Sequence, residues 1–137
     1  MIVEIKKNSQ LKDIQDCFVH NFPFLRLQFF NVDTHRKNNS NKATYYTDLH
    51  TPVKDATQLT HDLFLELHYW QKTGTIEKVF RDKAGLHVHV FRKHGEHWIQ
   101  TTGTDELTLE EQNNIGLKDT QDYLHGNNRY VETEKLL

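Results

Sequence analysis

The feature that most constrains this chain is a pattern that returns after 62 residues. Near the start, Val3 and Ile5 alternate with polar neighbours, the period of a half-buried strand. Asn8 or Ser9 can cap a helix carrying Leu11, Ile14, Phe18 and Phe22 on one face, and Pro23 ends it. Leu25, Leu27 and Phe29 then alternate as a second strand. Displaced by 62 positions, Leu65 and Leu67 fall on Val3 and Ile5, Ile76 on Ile14, Val79 on Cys17 and Phe80 on Phe18. Gly85 replaces Pro23 as the helix stop. Leu86, Val88 and Val90 follow as a strand after a one-residue slip. The pattern predicts two β-α-β units.

Each unit extends into a hairpin. In the second, Lys93-His94-Gly95-Glu96 reads as the turn, pairing Phe91 with Trp98, Val90 with Ile99 and Val88 with Thr101. In the first, the polar loop Asn31 to Lys42 precedes a strand over Ala43–Thr47. Both units then reach a helix start. One is Thr51-Pro52, opening a short helix to about Leu59; the other is the capping box Thr108 to Glu111. Beyond Gly116 the pattern fades, and Gly126-Asn127-Asn128 is expected to break any helix.

A chain of 137 residues needs one core. The expected class is α+β: duplicated β-α-β(-β) units forming a ferredoxin-like antiparallel sheet with helices on one face. The single domain would span 1–116, in repeats of about 1–59 and 60–116, with a polar tail over 117–137.

With Val3, Ile5, Leu25, Leu27, Leu65, Leu67, Leu86, Val88, Val90 and Ile99 facing the helices, the strand period fixes the opposite face. There it sets Phe30, Trp70, Phe91 and Trp98 among charges and the histidines His68, His87 and His89. Apolar patches of this kind usually meet a partner. Those four aromatics are therefore the candidate interface, with Phe91 and Trp98 at its centre, in a homodimer or with another protein.

Four of the ten histidines fall in His87-Val88-His89…His94…His97. On a strand, His87 and His89 point the same way, a spacing that allows a shared zinc or other divalent metal, and only His68, Glu4 or a residue from another subunit could complete the set. No HExxH or CxxC motif accompanies them, so the expected cofactor is none, with the metal as the weaker alternative. Together with it stands the rival reading of a small-molecule or metal-dependent enzyme with a cavity between paired sheets. Nucleophilic catalysis lacks a motif, and Cys17 beside Phe18 reads as an inert thiol. Asp105, Glu106, Glu110 and Glu111 read as carboxylates favouring helix starts.

A net charge of −2 removes the electrostatic signature of a DNA-binding protein. An aromatic sheet face is also the platform of single-stranded RNA-binding modules, but the diagnostic aromatic string is missing and the basic residues are dispersed, which argues against RNA. No apolar run reaches the length of a membrane span, and the N-terminus carries no apolar export segment, so a cytoplasmic protein with no membrane partner is expected.

The stretch His87–Gly116, with Ile14–Phe30 upstream, resembles a group of short bacterial proteins that carry no assigned activity. Its distinctive part is Thr101-Thr102-Gly103-Thr104-Asp105 followed by Leu107 to Asn113. The resemblance covers about half the chain and implies a bacterial, cytoplasmic origin. It transfers no functional residues. The expectation that combines these readings is a non-enzymatic, self-associating or protein-binding domain that uses its aromatic and histidine-rich sheet face.

Overall fold

A computed structural model describes residues 1–32 and 43–136. The chain runs β1 (Ile2–Ile5), α1 (Leu11–Asn21), β2 (Leu25–Val32), β3 (Ala43–Tyr45), α2 (Val53–Ala56), β4 (Leu63–Glu66), α3 (Thr73–Ala84), β5 (His87–His94), β6 (His97–Gln100) and α4 (Leu109–Leu136). A 3-10 turn at Thr102–Thr104 leads towards α4. The loop expected over 31–42 begins later, because β2 continues to Val32; its remainder lies outside the described residues.

The architecture is mixed α and β with antiparallel strands, but the strands divide between two sheets where one ferredoxin-like sheet was expected. β1 and β4 pair alone, and β3-β2-β5-β6 form a curled four-stranded sheet. The alternating apolar positions explain both. Val3, Ile5 and Leu65 from one sheet, Leu67 just beyond it, and Leu25, Leu27, Phe29, Val88 and Val90 from the other are buried. Leu11, Ile14 and Phe18 of α1, and Ile76, Phe80 and Ala84 of α3, join them in a single core. Leu86 is buried as expected, whereas Ile99 is only partly covered. Period alone specifies which side of a strand is apolar; it leaves open which strand pairs with which.

Local signals hold in several places. Helix α1 ends at Phe22, just before Pro23, and α3 ends at Gly85 in the left-handed conformation, φ 64°. Added at Gly85, a Cβ would also lie 2.7 Å from Thr57 Oγ1. At the start of α4, the Glu111 N–H donates to Thr108 Oγ1 and the Thr108 N–H to Glu111 Oε1, both at 3.1 Å, which is the expected capping box. The hairpin differs by two residues on β6: Phe91 faces Gln100, Lys93 faces Trp98, and His94 faces His97 across the two-residue loop Gly95-Glu96. A slip of two preserves the faces, so Phe91 and Trp98 still share one side.

Helix α4 continues through Gly126 instead of ending near Gly116. A close approach fixes its first half: a Cβ at Gly116 would lie 2.8 Å from Phe24 Cβ and 3.0 Å from the Phe24 carbonyl oxygen. Further along, Asp119 meets His94 at 3.0 Å. These contacts supply the order that residue pattern does not. No helix among the described residues is long and apolar enough to cross a membrane.

Three backbone bonds recur in register. Leu11 N donates to Thr51 O, and Thr73 N to Leu107 O; Val53 N donates to Ser9 O, and Leu109 N to Gln71 O; Lys12 N donates to Leu49 O, and Gly74 N to Asp105 O. In the strand pairs, Val3 lies opposite Leu65 and Leu27 opposite Val90.

Candidate functional site

Because the inner side of β2 and β5 is apolar and buried against the helices, their outer side carries the alternate residues. Arg26 faces Phe91, Gln28 faces His89, and Phe30 faces His87 across the β2–β5 ladder. Tyr45 on β3 faces Phe30 and leans across the sheet. Its ring centre lies 5.9 Å from that of Phe30, 6.2 Å from His89 and 6.3 Å from Phe91, perpendicular to the last. The Phe30 and His89 rings stack at 4.4 Å. At the other end, the guanidinium of Arg26 sits 4.7 Å from the centre of the Trp98 ring, with the Lys93 ammonium at 5.2 Å.

The structure therefore gathers three of the four interface candidates, Phe30, Phe91 and Trp98, on one sheet. Trp70 belongs elsewhere: it is 59% exposed and stacks on His68 at 5.0 Å, just after β4. The four metal candidates are also divided. His87 and His89 lie on β5, whereas Glu4 is on β1 with Lys6 at 3.4 Å, and His68 follows β4 with Glu66 at 3.6 Å. Among the described residues, no group of three or more His, Cys, Asp or Glu side chains is placed to hold a metal ion. The Cys17 thiol is partly buried and lies 3.7 Å from the Ile2 carbonyl oxygen.

Two residues at this site, Tyr45 and Glu77, are not among the sequence candidates. Strand β6 covers β5 only from Phe91 onward, which leaves the Val90 backbone groups without a strand partner. Glu77, reaching over from α3, accepts the Val90 N–H at 2.9 Å, and Thr101 donates its N–H and Oγ1–H to the Val90 carbonyl. On β2 the same task falls to Gln15 of α1, which accepts from Leu27 N at 2.8 Å and donates to Leu27 O. Gln15 stands 62 residues before Glu77, and Leu27 lies opposite Val90. One half thus closes its strand edge with a neutral amide and the other with a carboxyl.

The carboxyl is electrostatically strained. Burial pushes the Glu77 pKa up to about 7; the Val90 N–H opposes this and the charge of Asp105 adds to it. Burial lowers the His89 pKa, which Asp105 partly offsets. Burial raises Tyr45 with a further contribution from Glu77, and it also lowers Arg26. Among the described residues, the shifts caused chiefly by burial thus all fall on this face or at its edge. The others, at Lys12, Lys72 and Glu106, come from surface ion pairs. His89 Nδ1 lies 3.8 Å from Glu77 Oε1, and both it and Asp105 Oδ1 are buried without a hydrogen-bond partner among the described residues. Perturbed groups cluster at functional sites, and buried structural networks perturb them too.

A further cleft of about 380 Å³ lies between the hairpin tip and α4, bordered by His94, His97, Asp119, Asp122 and Tyr123. Comparison with known proteins gives no match to any family model, curated protein or solved structure.

Proposed function

We propose that this chain is a non-enzymatic, self-associating domain in which two copies meet through the outer face of β3-β2-β5-β6. The observation that carries this reading is the cluster of neighbouring rings Phe30, Tyr45, His87, His89 and Phe91, with Trp98 beside Arg26 and Lys93 on the same face, on a sheet whose inner side is already filled. A second copy is the occupant that the charges favour. One face carries both a cationic end, Arg26 and Lys93 around Trp98, and the carboxyl edge at Glu77, so a twofold-related copy can oppose unlike charges. The recurring backbone bonds support the companion proposal that the fold is two duplicated β-α-β-β-α units. A bacterial, cytoplasmic setting is part of the same reading and rests on the sequence resemblance.

Sedimentation equilibrium of the untagged chain tests the association. The expected result is a dimer that becomes a monomer when Phe91 and Trp98 are both changed to Ser, with cooperative melting retained. A monomer at every concentration would refute self-association. A dimer indifferent to the double change would refute this face as its site.

A further inference from the structure

We propose that the free edge of β1, with the groove between it and α1, docks an extended peptide strand of another protein in which Lys or Arg alternates with apolar residues. The inference goes beyond the proposed function: it concerns the other sheet and is independent of self-association.

The β1–β4 ladder decides which backbone groups are free. Met1 N donates to Leu67 O at 2.7 Å and Leu67 N to Met1 O at 2.8 Å, so this pair exchanges both bonds. Antiparallel alternation then makes Val3–Leu65 and Ile5–Leu63 the bonded pairs. It turns the N–H and C=O groups of Ile2 and Glu4 away from β4, and among the described residues no third strand lies there. The one hydrogen-bond contact to these four groups among the described residues is the Cys17 thiol, 3.7 Å from the Ile2 carbonyl oxygen.

The space in front of this edge is shaped for a strand. A groove of about 510 Å³ is lined by Ile2, Glu4 and Lys6 on one side and by Ser9, Asp13 and Cys17 on the other. The first three are alternate residues of β1 and its continuation; the second three recur every four residues along α1 and its lead-in. From Ile2 to Lys6 the edge extends about 13 Å, four strand steps. A peptide added to a sheet edge is held by backbone bonds, and its alternate side chains are selected by the walls.

The lining names those side chains. Ile2 is 65% exposed, and Phe64, diagonal to it on the same face of the pair, is 67% exposed. An apolar residue of the added strand covers Ile2. Glu4 and Asp13 bring two carboxylates to the groove against one ammonium, that of Lys6, which lies 3.4 Å from Glu4. The excess negative charge selects a cationic side chain opposite Glu4. A second copy fits less well. Antiparallel pairing of β1 with itself through all four free groups sets Ile2 opposite Glu4, an apolar side chain against a carboxylate.

The probe is the blocked heptapeptide Ser-Val-Thr-Arg-Thr-Val-Ser, titrated into the isotope-labelled full chain and followed by NMR. It reads the same in both strand directions, so Arg meets Glu4 and Val meets Ile2 either way. The expected result is saturable binding that shifts the Ile2 and Glu4 amides and slows their hydrogen exchange at least tenfold. N-methylation at Arg and both Val removes the donors facing β1, keeps the side chains, and should abolish binding. Glu4→Lys, whose fold is checked by melting, should weaken binding at least fivefold and prefer a peptide with Glu in place of Arg. The chain with both Phe91→Ser and Trp98→Ser should bind like wild type, whatever its own state of association. Absence of saturable binding, or binding indifferent to N-methylation or to Glu4→Lys, would overturn the proposal and leave Glu4 and Lys6 as charges that guard an open edge. Protection of the Glu4 amide that grows with protein concentration in the free chain would also overturn it, because a second copy then fills the edge.

Discussion

Replacing Glu77 by Gln is expected to stabilise the fold at pH 8 and to leave it unchanged at pH 5. In the folded chain Glu77 titrates near 7 because burial disfavours its charge, against 4.5 for the free side chain. Between those pH values the native state holds a proton that the unfolded state has released, so stability falls as pH rises across the window and levels off above about 7. Undiscounted, a displacement of this size corresponds to about 3 kcal/mol. Solvent reaches part of the carboxyl, and screening reduces the expected figure to about 1–2 kcal/mol. The amide carries no such penalty, and its oxygen can still accept the Val90 N–H, as Gln15 does for Leu27. Urea denaturation of the two proteins at pH 5, 6, 7 and 8 provides the assay, with m-values checked for constancy. For a chain of this length the gain at pH 8 corresponds to a rise in Tm of about 3–8 °C. A gain of equal size at pH 5 and pH 8, or none at either, would refute the assigned burial of the carboxyl.

Two packing predictions are independent of that site. Gly116→Val should destabilise by about 2–3 kcal/mol, because the new Cβ meets the Phe24 backbone and α4 must move; faster amide exchange along α4 is the matching signature. Gln112 is fully buried, accepts from Arg92 at 2.6 Å and donates to Thr104, so Gln112→Ala should cost about 2–3 kcal/mol by thermal melting. Full stability in that variant would show that the Arg92–Gln112–Thr104 chain of bonds does not hold β5, the Thr102–Thr104 turn and α4 together.

What the sequence discloses about this fold follows from what each signal can encode. Alternation marks the inner residues of β1, β2, β4 and β5 because burial acts on every second side chain, and that much agrees with the structure. Pairing between distant strands leaves no such trace. The period therefore does not separate the isolated β1–β4 pair from the four-stranded sheet, and it sets Trp70 and His68 on one face with residues that belong to another sheet. In the hairpin, the tight loop at Gly95-Glu96 moved the register by two, an error to which face patterning is blind. Helix α4 shows the converse limit, since Gly116 and Asp119 find order in contacts with Phe24 and His94 that no local pattern announces.

The site was half legible for a related reason. Phe30, His87, His89, Phe91 and Trp98 announce themselves as large or titratable residues on an outward strand face, whereas Glu77 was hidden within a helix. Yet Thr73, Glu77, Phe80 and Ala84 share one helical stripe, three of them are buried, and a carboxyl in such a stripe needs a partner. The 62-residue offset already aligned Glu77 with Gln15, another polar residue in an apolar stripe. Both exist to close an exposed strand edge, which explains why polar residues occur there at all. Their difference follows the carbonyl: Leu27 O takes its hydrogen from the Gln15 amide, whereas Val90 O is already served by Thr101, so an acceptor alone meets the backbone requirement at position 77.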